Sequence, residues 1–145
     1  MIIDMERGVD SRAHRSDQPS DRRFGGLLVV LSLATIGGLT LSPDDAVPPA
    51  EFVWTPTADP GHLVEDVLNV ALFCPLGLAL RLLGVSAGAT LMISAALSCS
   101  VELLQLWVIP GRYSELQDIL ANTAGAAFGA LLARSLRGRL DRRHR

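Results

Sequence analysis

A few side chains in this sequence have the types and spacing to do chemistry inside an otherwise apolar chain. Glu102 and Gln105 lie three apart, Asp118 and Asn122 four apart, and Asp66 and Asn69 three apart, so on helices each pair shares a face. Pro110-Gly111-Arg112 lies between the Glu102/Gln105 and Asp118/Asn122 pairs as a turn carrying one cation. Carboxylates and amides suit hydroxyls, amides and ammonium groups, and an arginine suits a carboxylate or phosphate. The ligand-binding candidates are therefore Asp66, Asn69, Glu102, Gln105, Arg112, Asp118 and Asn122. Paired carboxylates in unequal environments can also divide acid and base roles, which makes Glu102, Asp118 and Asp66 the catalytic candidates, and three carboxylates could hold a divalent cation. No Ser-His-Asp arrangement, H-E-x-x-H or phosphate loop is present, and the spacing of Cys74 and Cys99 matches no zinc or redox motif. No metal or cofactor is assigned, the cysteines read as small packing residues, and His62 reads as a surface residue.

The elements that must position these groups are transmembrane helices. Apolar residues make up 49% of the chain and gather into long runs. Met1 to Arg23 mixes acidic residues and arginines without apolar periodicity and reads as a disordered tail. Phe24 to Leu41 is free of charge and covers ~27 Å as a helix, close to a hydrocarbon core, so it is read as an uncleaved anchor rather than a signal peptide. Ser42 to Gly61 carries Pro43, Pro48, Pro49, Pro56 and Pro60 with no basic residue, and prolines at that density require a loop. A second span runs from His62 to Leu83, with a kink expected at Pro75, and a third from Ala87 to Ile109. Ser114-Glu115-Leu116-Gln117 fits a capping box, so a fourth helix is expected from Glu115 to about Leu136. Within it, Gly125-x-x-x-Gly129 permits close helix approach, expected to be packing within the chain in preference to dimerisation, with oligomerisation left open. The reading is an all-α, integral membrane four-helix bundle: a charged tail at 1–23, a membrane domain at 24–136 and a basic tail at 137–145. That last tail is a topology signal with attraction to anionic membrane lipid; no aromatic pattern or fold supports nucleic acid as a partner.

Four spans place twelve of the thirteen basic residues, all arginines, on one face and leave Arg112 alone on the other. By the positive-inside rule both termini are cytoplasmic and the proline-rich loop is outside. Asp66 and Asn69 then start the second helix, Glu102 and Gln105 leave the third, and Asp118 and Asn122 start the fourth, all in the outer leaflet, where one cluster is permitted with Arg112 above it. Asp66 and Asp118 also suit helix N-termini, and the amides suit interhelical hydrogen bonds. Glu102 is different. It lies seven residues before Ile109, hence ~10 Å deep, near a helix C-terminus that disfavours an anion, and it must be paired, protonated or hydrated from a polar cavity.

These residues resemble the VanZ-like family of small bacterial membrane proteins. The resemblance is carried by Asp66-x-x-Asn69-x-x-x-Phe73-x-Pro75-Leu76-Gly77, by Ser98-x-x-x-Glu102-x-x-Gln105, by Gly111-Arg112 and by Asp118-x-x-x-Asn122-Thr123-x-Gly125-x-x-x-Gly129. It covers about Gly61 to Leu132, the first helix matching in position and character. It implies a multi-pass protein of the bacterial cell membrane and an association with low-level resistance to the glycopeptide teicoplanin. A binding or resistance module for a polar cell-envelope molecule or glycopeptide ligand is the first expectation. A membrane-surface enzyme with Glu102 as acid or base is the alternative, and proton or ion passage through Glu102 ranks last for so small a bundle.

Overall fold

A computed structural model describes residues 19–41, 51–108 and 114–143. In chain order the elements are α1 (Pro19–Thr40), β1 (Phe52–Val53), α2 (Pro60–Leu82), α3 (Ala87–Trp107), β2 (Ser114–Glu115) and α4 (Leu116–Arg143). All four helices are long and apolar enough to cross a membrane, and the chain is an all-α, integral membrane four-helix bundle. Local chemistry sets several of their ends. Asp59 caps α2, its carboxylate accepting from the Gly61 N–H at 3.3 Å, and Pro60 occupies a first-turn position that needs no donor. Ser86 caps α3 by accepting from the Ala89 N–H at 3.2 Å, and Gly84, at φ +89°, makes the tight turn between the two. α2 stays helical through Pro75.

Helices α2 and α4 run parallel and form the main packing seam of the bundle. A Cβ on Gly77 would strike the Ala126 backbone, one on Gly125 the Val70 backbone and one on Gly129 the backbone of Cys74 and Leu78. The Gly125-x-x-x-Gly129 pair thus serves contact within the chain, backbone against backbone, as small residues do between membrane helices. Helix α1 packs mainly on α2, and α3 mainly on α4. Ile36, Phe73, Leu76, Leu80 and Val101 form the buried apolar core among α1, α2 and α3. Along α3, Thr90, Ser94, Ser98 and Glu102 recur every fourth residue and are all buried, so one polar stripe faces inward through an apolar helix.

Three sequence expectations change. α1 begins at Pro19, inside the stretch read as a tail, and α4 continues past Leu136 to Arg143, because its arginine- and leucine-rich end contains no proline to stop it. The capping box at Ser114 does not form. Ser114 and Glu115 instead pair in parallel with Phe52 and Val53, and the Ser114 hydroxyl donates to the Glu102 carbonyl at 2.7 Å. Strand pairing and that bond occupy the groups a cap would need, and α4 starts at Leu116. The proline-rich segment accordingly contributes a short strand as well as loop. Residues 1–18, 42–50, 109–113 and 144–145, with Pro43, Pro48, Pro49 and Arg112, lie outside the described residues.

The bundle sorts charge by end. Arg137 donates to the carbonyls of Arg81 (2.7 Å) and Leu82 (3.3 Å), tying the two arginine-bearing helix ends together, and Gly25 beside Leu83 places the start of α1 there too. At the opposite end, Gln117 on α4 exchanges hydrogen bonds with the Thr57 backbone, accepting from its N–H at 2.7 Å and donating to its carbonyl at 3.1 Å. Asp59, Glu65, Asp66, Glu102, Glu115 and Asp118 all belong to that end.

Alanine at Gly77 or Gly129 is expected to cost ~1–3 kcal/mol or more, since the clash is with backbone that cannot rotate away. Gly26→Ala, where nothing lies within 4 Å, should be neutral or stabilising by up to ~1 kcal/mol. Thermal unfolding of the purified protein in detergent checks both.

Candidate functional site

At the acidic end the four helices and β2 surround a partly open cleft of about 620 Å³. Its walls come from Leu39 and Thr40 of α1, Leu68, Asn69 and Leu72 of α2, and Glu102 and Gln105 of α3, with Asp118 and Asn122 of α4 closing it. Five of the seven residues singled out by spacing therefore meet around one cavity: Asn69, Glu102, Gln105, Asp118 and Asn122. Asp66 is placed differently. It accepts from the Gln117 amide at 2.7 Å beside the cleft and does not line it. Arg112 lies outside the described residues.

Each wall residue is held. Asn69 donates to Asp118 Oδ1 at 2.8 Å, joining α2 to α4 just beyond their glycine seam. Asn122, 2% exposed, donates from Nδ2 to Ser98 Oγ at 2.9 Å and joins α4 to the polar stripe of α3. Gln105, 5% exposed, donates from Nε2 to the Thr40 carbonyl at 2.9 Å and joins α3 to the last turn of α1. That carbonyl can only accept, so the amide orientation of Gln105 is fixed, with Oε1 as its remaining acceptor.

Glu102 is 2% exposed and five residues from the end of α3, ~8 Å along the helix. A carboxylate there costs several kcal/mol unless donors compensate it. One donor is the Glu115 backbone N–H, 2.8 Å from Oε2. The pairing of β2 with β1 holds that N–H in place, so an extended residue past the end of α3 supplies what the helix C-terminus cannot.

Two acceptors at the cleft have no partner among the described residues: Gln105 Oε1 and Asn122 Oδ1, each buried. A buried unsatisfied acceptor costs ~1–3 kcal/mol, and both belong to cavity-lining side chains. The cleft is thus supplied with acceptors and short of donors. Four carboxylates line it, Glu65, Glu102, Glu115 and Asp118.

His62 belongs to the site, against its sequence reading as a surface residue. Its Nδ1 stands 3.5 Å from both Glu65 Oε2 and Glu115 Oε2, its Nε2 lies 3.8 Å from Asp59 Oδ2, and it lines the cleft. A lone histidine carried no signal by itself; its partner Glu115 is 53 residues away and reaches it through the strand pair. Thr40 and Glu65 were also missed. Thr40 acts through its carbonyl, which no side-chain pattern reveals, whereas Glu65 stands beside Asp66, and helical phase turns it toward His62. Among the described residues no group of three or more His, Cys, Asp or Glu side chains could hold a metal ion.

Against known proteins, the VanZ/LLP1 family model matches residues 12–137, and the chain belongs to this family. No curated protein and no solved structure matches it.

Glu102→Leu should destabilise the protein by ~1–3 kcal/mol by leaving the Glu115 N–H without its acceptor, while Glu102→Gln, which retains an acceptor oxygen, should melt close to wild type. Comparing the two melting temperatures in detergent separates the structural share of Glu102 from its charge.

Proposed function

With membership of the VanZ/LLP1 family as the premise, we propose that this multi-pass membrane protein is a binding or resistance module of the bacterial cell membrane. It recognises a polar cell-envelope molecule or a glycopeptide antibiotic in the cleft walled by Asn69, Glu102, Gln105, Asp118 and Asn122. The observation that carries this reading is the pair of buried acceptors left without partners, Gln105 Oε1 and Asn122 Oδ1, in a cavity of about 620 Å³. A protein built only to be stable would place apolar groups there; a ligand that brings N–H or O–H donors satisfies them on binding. By the positive-inside rule the cleft opens to the outer face, where envelope precursors and glycopeptides are met. Asp66 supports the site through Gln117, and Arg112 remains a ligand-binding candidate from the sequence.

The alternative, an enzyme acting at the membrane surface on a lipid-linked or envelope substrate, gains one observation. His62 lies on the cleft wall between two carboxylates, and an imidazole is the usual proton carrier of acid and base catalysis. Glu102 would then be the acid or base, with Asp118 on the same wall and Asp66 set apart from it.

Glu102→Gln, inserted at wild-type levels in a deletion background, should lose the glycopeptide susceptibility phenotype, while Glu51→Gln, at an exposed position that does not line the cleft, should retain it. Wild-type behaviour of Glu102→Gln would remove the carboxylate from that phenotype. A changed mass of an envelope lipid incubated with the purified protein, abolished by His62→Gln, would decide for the enzyme.

A further inference from the structure

The chemistry of the cleft narrows what it takes. Its unpartnered groups, Gln105 Oε1 and Asn122 Oδ1, are acceptors, so the ligand group that reaches them donates. Its lining carries the four carboxylates of Glu65, Glu102, Glu115 and Asp118, and His62 is the basic side chain on it among the described residues. A donor group entering this field is favoured if it is a cation and disfavoured if it is an anion.

The rim of the cleft indicates where that group comes from. On one side Leu39 and Leu68 line the cavity while 63% and 61% exposed, so apolar side chains continue from the cleft wall onto the lipid-facing surface. On the other side stand His62, Glu65 and Glu115, the last paired through β2 with the strand whose Phe52 ring meets Trp54 at a tilt of 54°, 4.5 Å between ring centroids. Glu102 lies ~8 Å from the end of α3, on the side of the bundle where that helix leaves the apolar span. A molecule that fits both sides has a polar head and an apolar tail.

Resting on the reading of the cleft as a recognition site, we infer that it binds the protonated primary amine of a membrane lipid headgroup, its N–H donors directed at Gln105 Oε1 and Asn122 Oδ1 and its acyl chains leaving past Leu39 and Leu68. A primary ammonium brings three donors and one positive charge. A quaternary ammonium brings the same charge and no donor, and so leaves both acceptors unsatisfied.

The test uses that difference. The full-length protein is reconstituted in phosphatidylglycerol nanodiscs carrying equal minor amounts of phosphatidylethanolamine and phosphatidylcholine, and lipids retained after detergent exchange are counted by mass spectrometry. Wild type should retain phosphatidylethanolamine at least about tenfold over phosphatidylcholine. Gln105→Met and Asn122→Leu should bring that ratio toward one. Both variants also lose a structural hydrogen bond, so Asn122→Asp, which keeps an oxygen acceptor, is included and should preserve the preference. Equal retention of the two lipids by folded wild type would overturn the amine. Protection against thermal unfolding by free ethanolamine equal to that given by phosphatidylethanolamine would overturn the lipid as its source. Equal retention together with an intact Glu102-dependent glycopeptide phenotype would overturn this inference and leave envelope recognition standing; a clear phosphatidylethanolamine preference without that phenotype would support it and count against the glycopeptide.

Discussion

Backbone-to-backbone contact between α2 and α4 is the constraint from which the arrangement follows. Where Gly77 meets Ala126, Gly125 meets Val70 and Gly129 meets Cys74, no side chain can stand between the helices. The two run parallel, so residues that follow the seam toward its acidic end are held side by side: Asn69 reaches Asp118 and Asp66 reaches Gln117. Close packing of apolar backbone thus fixes a polar constellation one turn further on, as rigid helices do more precisely than loops. Larger residues at the seam would force the helices apart and lengthen every one of those polar contacts.

The other wall depends on a smaller device. β1 and β2 are two residues each, too short to be stable alone, yet their pairing places the Glu115 N–H on Glu102 Oε2 and the Ser114 hydroxyl on the Glu102 carbonyl. A carboxylate near a helix C-terminus meets the wrong end of the macrodipole. Here a donor from the returning chain offsets part of that penalty, and the same stretch carries Glu115 to His62. The proline-rich segment therefore contributes to the site: proline prevents it from extending a helix, which leaves Phe52 and Val53 extended and able to pair.

Much of this was legible in the sequence because hydrocarbon is a strict solvent. Charge-free runs of helical length, amides and carboxylates at three- and four-residue spacing, and arginines gathered on one face are patterns that lipid imposes directly. The glycine pair read correctly as contact within the chain, since Gly77 of the Pro75-Leu76-Gly77 segment is its counterpart across the seam. What escaped depends on partners distant in sequence or on backbone atoms. Ser114 fits a cap by local pattern, and only the strand 62 positions earlier in the chain competes for it. Thr40 enters the site through a carbonyl, and His62 through a residue on another element. Thr90 and Ser94 do continue the four-residue register of Ser98 and Glu102, a signal present in the sequence but masked by the small, weakly polar side chains that carry it.

The energetics bear on why such a cleft exists at all. Leucine at positions 105 and 122 would fill space with apolar volume and remove two unsatisfied acceptors, and burying Glu102 is a further cost in a bundle of only four helices. Structural glue does not account for this, because an interhelical hydrogen bond uses one group of an amide and these two amides each leave their oxygen over. The surplus is also one-sided: acceptors and carboxylates collect at the end of the bundle opposite the described arginines Arg81 and Arg137. On the proposed reading, a ligand that brings donors to these oxygens stabilises the folded protein by the free energy with which it binds.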